Sequence, residues 1–282
     1  MLWYKNNRKT AEPVLSGKRY KVVFIGAGNV ATHLSLAMKE AGIPIIQVYS
    51  HTKENARNLA DRLNCLYTSN AEEIRKDADI YLFSVKDDVL QDIIRKIPEN
   101  KGIWIHTAGS IPVAVFKGYA NRYGVIYPMQ TLSKSRKIEF HKVPLFIEGS
   151  TPASEKEIRQ VAEMISGRVS VMNSEKRKYL HLAAVFACNF SNHMYNLATQ
   201  LLEDQGIDRH VLQPLIEETA NKLQTMRPDM AQTGPAIRYD RTIMERHLAL
   251  LEDPGMREIY EIISADIHKK IIYHDPLRFE KD

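Results

Sequence analysis

A chain of 282 residues, 44% of them hydrophobic, is long enough to bury a sizeable core and lies nearer two average domains than one. Its net charge of +5 is spread along the chain, and its longest basic cluster, Lys134 to Lys137, is short. A nucleic-acid footprint needs Lys and Arg gathered on one face, so that partner is excluded. Cys65 and Cys188 stand far apart without CxxC or His-rich company, so they read as reduced thiols rather than a disulfide framework or metal site. No apolar run approaches a signal-peptide core or a membrane span. The expectation is a cytoplasmic protein with no membrane partner, whose residues 1–19 form a polar leader.

From residue 20 to residue 172, short apolar runs alternate with amphipathic ones, the pattern of an α/β domain with a mostly parallel, doubly wound sheet. The predicted strands are KVVFI, IIQVY, CLY, DIYLFSV, GIWIHT, GVIY, VPLFIEG and RVSVM. Ala41-Gly42 is the predicted stop of the first helix. Asn70 before Glu73 and Ser154 before Glu157 have the spacing of capping boxes.

The first strand runs into Gly26-Ala27-Gly28-Asn29-Val30-Ala31. There the first glycine allows a tight turn, the second lets a pyrophosphate approach the backbone, and Ala31 supplies the third small position. The helix after this turn offers free amides and a positive dipole end to an anion. With IIQVY closing a βαβ unit of about 30 residues, the stretch reads as a dinucleotide site.

An Asp or Glu roughly 20 residues further on would suit the ribose of NAD. The chain instead has Ser50, His51, Thr52 and Lys53, with Arg57 one turn later. Hydroxyls and cations suit a 2′-phosphate, so NADP(H) is the expected cofactor, with NAD(H) the alternative. The remainder of the cofactor should cross the carboxyl ends of neighbouring strands, at Ser84-Val85 and at His106-Thr107-Ala108-Gly109-Ser110.

After Asn173 the strand signals stop. Long helical patterns run from Ser174 to Gln205, Asp208 to Met226, Asp240 to Asp253 and Met256 to Ile271, so residues 173–282 are expected to form an all-α domain.

GAGNVATHL, HTAGS, GVIYPMQTL, VPLFIEG, YLHLAAVFACNFSNHM and TGPAIRYD with HLALL together resemble a family of Rossmann-like oxidoreductase-like proteins with a C-terminal helical domain of unknown function. That family is distantly similar to pyrroline-5-carboxylate reductase, ketopantoate reductase and the 6-phosphogluconate dehydrogenase superfamily. The resemblance implies a helical domain like the C-terminal domain of 6-phosphogluconate dehydrogenase, a homodimer formed through it, and a substrate cleft between the domains. Tyr127 stands where the family usually has His, and Lys86 where proline is common.

Hydride transfer needs a positioned carbon and one managed proton. At 3.6 residues per turn, His181, Cys188 and Asn192 share one angular position, with Asn189 further round the same side. His181 is the predicted proton donor and Asn189 the predicted substrate orienter. The lysine that relatives carry one turn before such an asparagine is absent, Val185 taking its place.

His106, Thr107, Ser110 and Asn192 are predicted to line the substrate site. Arg238 is a candidate carboxylate clamp, while Asp240 reads as a helix cap and His247 as a weak candidate. The sequence carries no GxSxG, HExxH or GxxxxGK[ST] motif, which sets hydrolases and kinases aside. The expected activity is NADP(H)-dependent reduction or oxidation of a small carbonyl, hydroxy or imine compound. The competing reading is a dinucleotide sensor without efficient turnover.

Overall fold

The computed structural model describes residues 20–274, with side chains through residue 270. The leader expected over residues 1–19 lies outside the described residues. All eight predicted strands form: β1 (Val22–Ile25), β2 (Ile45–Tyr49), β3 (Leu66–Thr68), β4 (Ile80–Phe83), β5 (Ile103–His106), β6 (Tyr123–Pro128), β7 (Leu145–Gly149) and β8 (Val169–Val171). They make one sheet in the order β3-β2-β1-β4-β5-β6-β7-β8, parallel except where β7 runs against β6. Every residue of β1, β4 and β5 is buried, as expected of strands covered on both faces.

One face carries Val22, Phe24, Leu82 and Ile105 under α1 (Asn29–Glu40), α2 (Lys53–Leu63) and part of α4 (Pro152–Ile165). The other carries Val23, Ile25, Tyr81, Phe83 and Trp104 under α3 (Asp87–Ile94) and the segment around Phe116. The strand order reverses between β1 and β4, so the carboxyl ends of β1, β2, β4 and β5 form one open rim.

α1 ends as predicted: Ala41 caps it, Gly42 has φ +77°, and the Ile43 amide donates to the Met38 carbonyl. The two predicted capping boxes are corrected. Asn70 does accept the Glu72 amide, but the Glu73 carboxylate turns to the Thr68 hydroxyl, and only a single 3₁₀ turn forms. α4 starts three residues before the expected Ser154, capped by Thr151 with Pro152 in its first turn, and Ser154 is buried. Proline at the first helical position fixes the start there.

The predicted helix over Ser174–Gln205 is interrupted. α5 (Ser174–Ala184) runs into a π turn at Val185–Phe190 and then α6 (Ser191–Glu203). After it come α7 (Gln213–Lys222), two short helices that the pattern did not signal, α8 (Pro228–Ala231) and α9 (Pro235–Arg238), then α10 (Arg241–Leu250) and α11 (Pro254–His274). Asp240 caps α10 by accepting the Ile243 amide, as expected.

The chain divides into two compact units at Asn189/Phe190, so α5 and all but the last residue of the π turn stay with the sheet although the strand pattern already ends at Asn173. Among the described residues no helix is long and apolar enough to cross a membrane.

Candidate dinucleotide and proton-transfer site

Gly26 has to be glycine. Its φ is +113°, its amide donates to the Tyr49 carbonyl, and a Cβ there would lie 2.2 Å from the Ser84 carbonyl oxygen. The turn therefore locks β1 between the ends of β2 and β4. Gly28 is different: it is exposed, has φ −80°, and a Cβ on it would meet nothing within 4 Å.

No side chain caps α1 at Gly28 and no acid occupies its first turn, so the first amides of the helix face an open, electropositive space. Asn29 is exposed and Val30 half-buried, whereas Ala31 is fully buried and lets helix and sheet pack closely. This is a cradle shaped for an anion, and the residues present fit a diphosphate.

At the end of β2, Ser50 is half-buried with its amide bonded to the Thr68 carbonyl, and His51, Thr52 and Lys53 are exposed. Thr52 starts α2 without a side-chain cap, which leaves its hydroxyl available. Glu54 is the acid in the first turn of α2, and Arg57 is paired with Asp61 at 3.7 Å. No carboxylate ends the strand itself, which favours a phosphate over a bare ribose hydroxyl.

At the end of β4 the Ser84 amide donates to the Ile25 carbonyl at 2.7 Å, and the Ser84 and Thr107 hydroxyls bond to each other at 3.2 Å. Val85 is half-buried beside Gly26. The Ser110 hydroxyl is bonded to the Asp87 carboxylate, which ties the loop after β5 to the start of α3.

His106 was expected on the rim, but the structure places its ring inside. It is 0% exposed, its Nδ1 accepts the Ala108 amide at 3.2 Å, and its ring packs 5.6 Å from that of Phe116. Among the described residues Nε2 has no hydrogen-bond partner within bonding geometry. Burial, with the Arg177 charge adding to it, pushes the imidazole down to about 3. His106 is thus a buried imidazole that its surroundings keep neutral.

α5 brings His181 to the place that β5 was expected to supply. A Cβ on Gly109 would lie 2.6 Å from His181 Cγ and 2.7 Å from Nδ1, so the glycine is what lets the ring settle on the loop. His181 Nδ1 is 3.1 Å from the Tyr127 hydroxyl at the end of β6, the two rings crossing edge-on. Tyr127 is 8% exposed; burial raises its phenol above the ordinary value, while the Arg177 charge pulls the other way. The cyclic arrangement of loop, phenol and imidazole presents one ionisable ring that can hold or pass a proton.

A buried ionic latch fixes α5 one turn earlier. Arg177 is 0% exposed; its Nη1 donates to Glu148 Oε2 at 2.5 Å and its Nη2 to the Ile111 carbonyl at 2.6 Å. Ser174 Oγ donates to the same carboxylate at 2.7 Å and accepts the Val113 amide at 2.9 Å. α5, β7 and the loop after β5 are joined through these residues. Neither Arg177 nor Tyr127 was assigned a role from sequence. The charge of Glu148 inside the apolar VPLFIEG was the available signal, whereas Arg177 is hidden in the polar run SEKRKY.

The alignment of His181, Cys188 and Asn192 rests on 3.6 residues per turn, and the π turn at Val185–Phe190 interrupts that period between His181 and Asn192. Asn189 is exposed at the last position of the first unit, and Asn192 is exposed on α6 in the second. Arg238, exposed at the end of α9, also belongs to the second unit. His247 bonds the Tyr260 hydroxyl at 2.8 Å, which satisfies it.

Known proteins share both the sequence pattern and the fold. Residues 21–106 match the family described as NADP oxidoreductase, coenzyme F420-dependent, and residues 143–267 match a domain of unknown function, DUF2520. A candidate NADP oxidoreductase from Bacteroides fragilis is 45% identical, the match covering 89% of this chain and 98% of that one with a TM-score of 0.84. A protein from Thermotoga maritima is 22% identical over 90% of this chain and 99% of that one, TM-score 0.65. The reductive aminase from Aspergillus terreus, solved with NADPH and ethyl-5-oxohexanoate, is 13% identical over 91% and 95%, TM-score 0.67. The last two similarities concern the fold alone. No curated protein matches the sequence.

Proposed function

From the premise that this chain belongs to the NADP oxidoreductase family, in which a dinucleotide-binding domain is joined to a DUF2520 domain, we propose that it exchanges hydride between NADP(H) and a small carbonyl, hydroxy or imine compound, with His181 handling the proton. The observation that carries the reading is the pairing, on one rim of the sheet, of the uncapped and unobstructed helix start at Gly28 with the His181 ring seated on Gly109. β1, β4, β5 and β6 are parallel, so their carboxyl ends present both features on the same side.

Gly26, Gly28, Asn29, Val30 and Ala31 would hold the diphosphate. Ser50, His51, Thr52 and Lys53 would take the 2′-phosphate, and Ser84 and Val85 would flank the chain of the cofactor. When bound, NADP(H) supplies or accepts the hydride. The protein's own part is to fix the substrate's reacting carbon and to exchange a proton with its heteroatom at His181. Solved structures of the Aspergillus terreus reductive aminase and of an imine reductase from Myxococcus stipitatus hold NADPH and NADP+ on this fold, which supports the cofactor and the carbonyl or imine chemistry.

Fluorescence titration tests the cofactor half: NADPH binds at least about tenfold more tightly than NADH, and Ser50→Asp removes the preference by setting a carboxylate against the phosphate. Equal affinities in the wild type would defeat the NADP assignment. For the proton half, His181→Gln lowers turnover of a responsive substrate by about 10²-fold or more while NADPH affinity stays unchanged.

A further inference from the structure

Resting on the reading of His181 as the proton-handling group, we propose that Tyr127 holds this imidazole in the tautomer that carries its proton on Nε2. The site would then donate a hydrogen bond to its substrate, selecting a carbonyl oxygen or an unprotonated imine nitrogen over an iminium cation.

Two hydrogens have to be placed. Tyr127 Oη and His181 Nδ1 are 3.1 Å apart, and either can donate. Among the described residues Oη has no other hydrogen-bond partner, and Tyr127 is buried. If Nδ1–H donated to Oη, the phenol hydrogen would be left without an acceptor inside the protein, whereas with the phenol donating both groups are satisfied. Burial keeps that phenol protonated, since its ionisation is pushed above the ordinary tyrosine value.

The ring nitrogen that remains is Nε2, which no hydrogen bond engages among the described residues, on a half-buried side chain. With Nδ1 used as acceptor, a neutral imidazole must carry its proton there. An N–H in that position complements a lone pair, which a carbonyl oxygen has and an iminium nitrogen lacks.

Arg177 acts as a positive charge on both Tyr127 and His106, and Glu148 is paired with it. Tyr127 is therefore a positioning residue: it acts through His181 and fixes the polarity of the hydrogen bond that the substrate receives.

Long-range proton–nitrogen NMR of ¹⁵N-histidine protein at about pH 8 reads the tautomer directly, because protonated and bare ring nitrogens resonate far apart; His181→Gln assigns the signal. The expected result is Nε2–H in the wild type and a mixture of tautomers in Tyr127→Phe. A wild-type ring protonated on Nδ1, or a tautomer unmoved by Tyr127→Phe, would overturn the proposal.

A second measurement needs no variant. With wild-type protein and NADPH, cofactor absorbance follows the reduction of ketones and aldehydes against that of N-methylated cyclic iminium ions. Carbonyl compounds are expected to give at least about tenfold higher kcat/KM, and faster iminium reduction overturns the selectivity. NADPH binding, measured by fluorescence in the same samples, reports separately on the cofactor assignment.

Discussion

Gly26 and Gly28 lie two residues apart in one loop, yet a side chain at each has a different consequence. Gly26→Ala must place a Cβ against the Ser84 carbonyl at a positive φ, so it should destabilise the fold by about 3 kcal/mol, visible in urea unfolding. Gly28→Ala meets open space and should cost less than about 1 kcal/mol of stability, while, on the proposed reading, weakening NADPH roughly tenfold by standing where the diphosphate would lie. Equal loss of stability in both would contradict the cradle.

His106 supplies the pH dependence at the same scale. Its folded-state ionisation lies at about 3 and its ordinary value at 6.5, so between these the unfolded chain binds more protons than the folded one. The stability due to a neutral His106 is full above about pH 6.5 and is lost progressively as pH falls towards about 3. His106→Leu should reduce the slope of stability against pH between about 4 and 6 by about one proton's worth, whatever it does to stability at about pH 8. Sequence placed His106 at a strand end correctly. Only the packing of Phe116 beside it shows that the ring is inside.

α5 is the element whose role was hardest to read from sequence. Its amphipathic pattern and its start were legible: Asn173 caps it by accepting the Lys176 amide. What the helix touches was not, because Arg177 meets Glu148 and Ile111 across long sequence separations. Removing one partner of a buried pair leaves the other charge uncompensated, so Arg177→Met should cost about 3–5 kcal/mol. Adding Glu148→Leu should restore part of that loss in a double-mutant cycle. If the two changes prove additive, α5 is not latched through this pair. The π turn at Val185–Phe190 was likewise invisible to a period-3.6 reading, which assumes an unbroken ladder.

For the molecule as a whole, the two units differ in what they bury. The sheet carries two continuous cores, whereas among the described residues between 190 and 270 only Ala236, Ile237 and Ser264 are buried. The second unit leaves Leu215, Leu250 and Ile262 exposed and has an apolar groove of about 420 Å³ along Leu197, Leu251, Ile259 and Ile263. Helices with so little core need another apolar surface, and the proposal is a second copy of this chain, seated on the exposed apolar residues of the second unit. Light scattering should give twice the mass of one chain, and Leu250→Glu with Ile262→Glu should give monomers whose Tm no longer rises with protein concentration. A wild type that is monomeric at micromolar concentration would rule this out.

Sequence by itself determined the eight strands, the glycine turn and the absence of a carboxylate after β2, because each depends on residues close along the chain and on backbone propensity. Tertiary structure alone decided that His106 is inside, that Tyr127 meets His181 on Gly109, and that Arg177 anchors the helix that carries His181. Those outcomes arise from contacts between residues far apart in the chain, whose distances no local periodicity encodes.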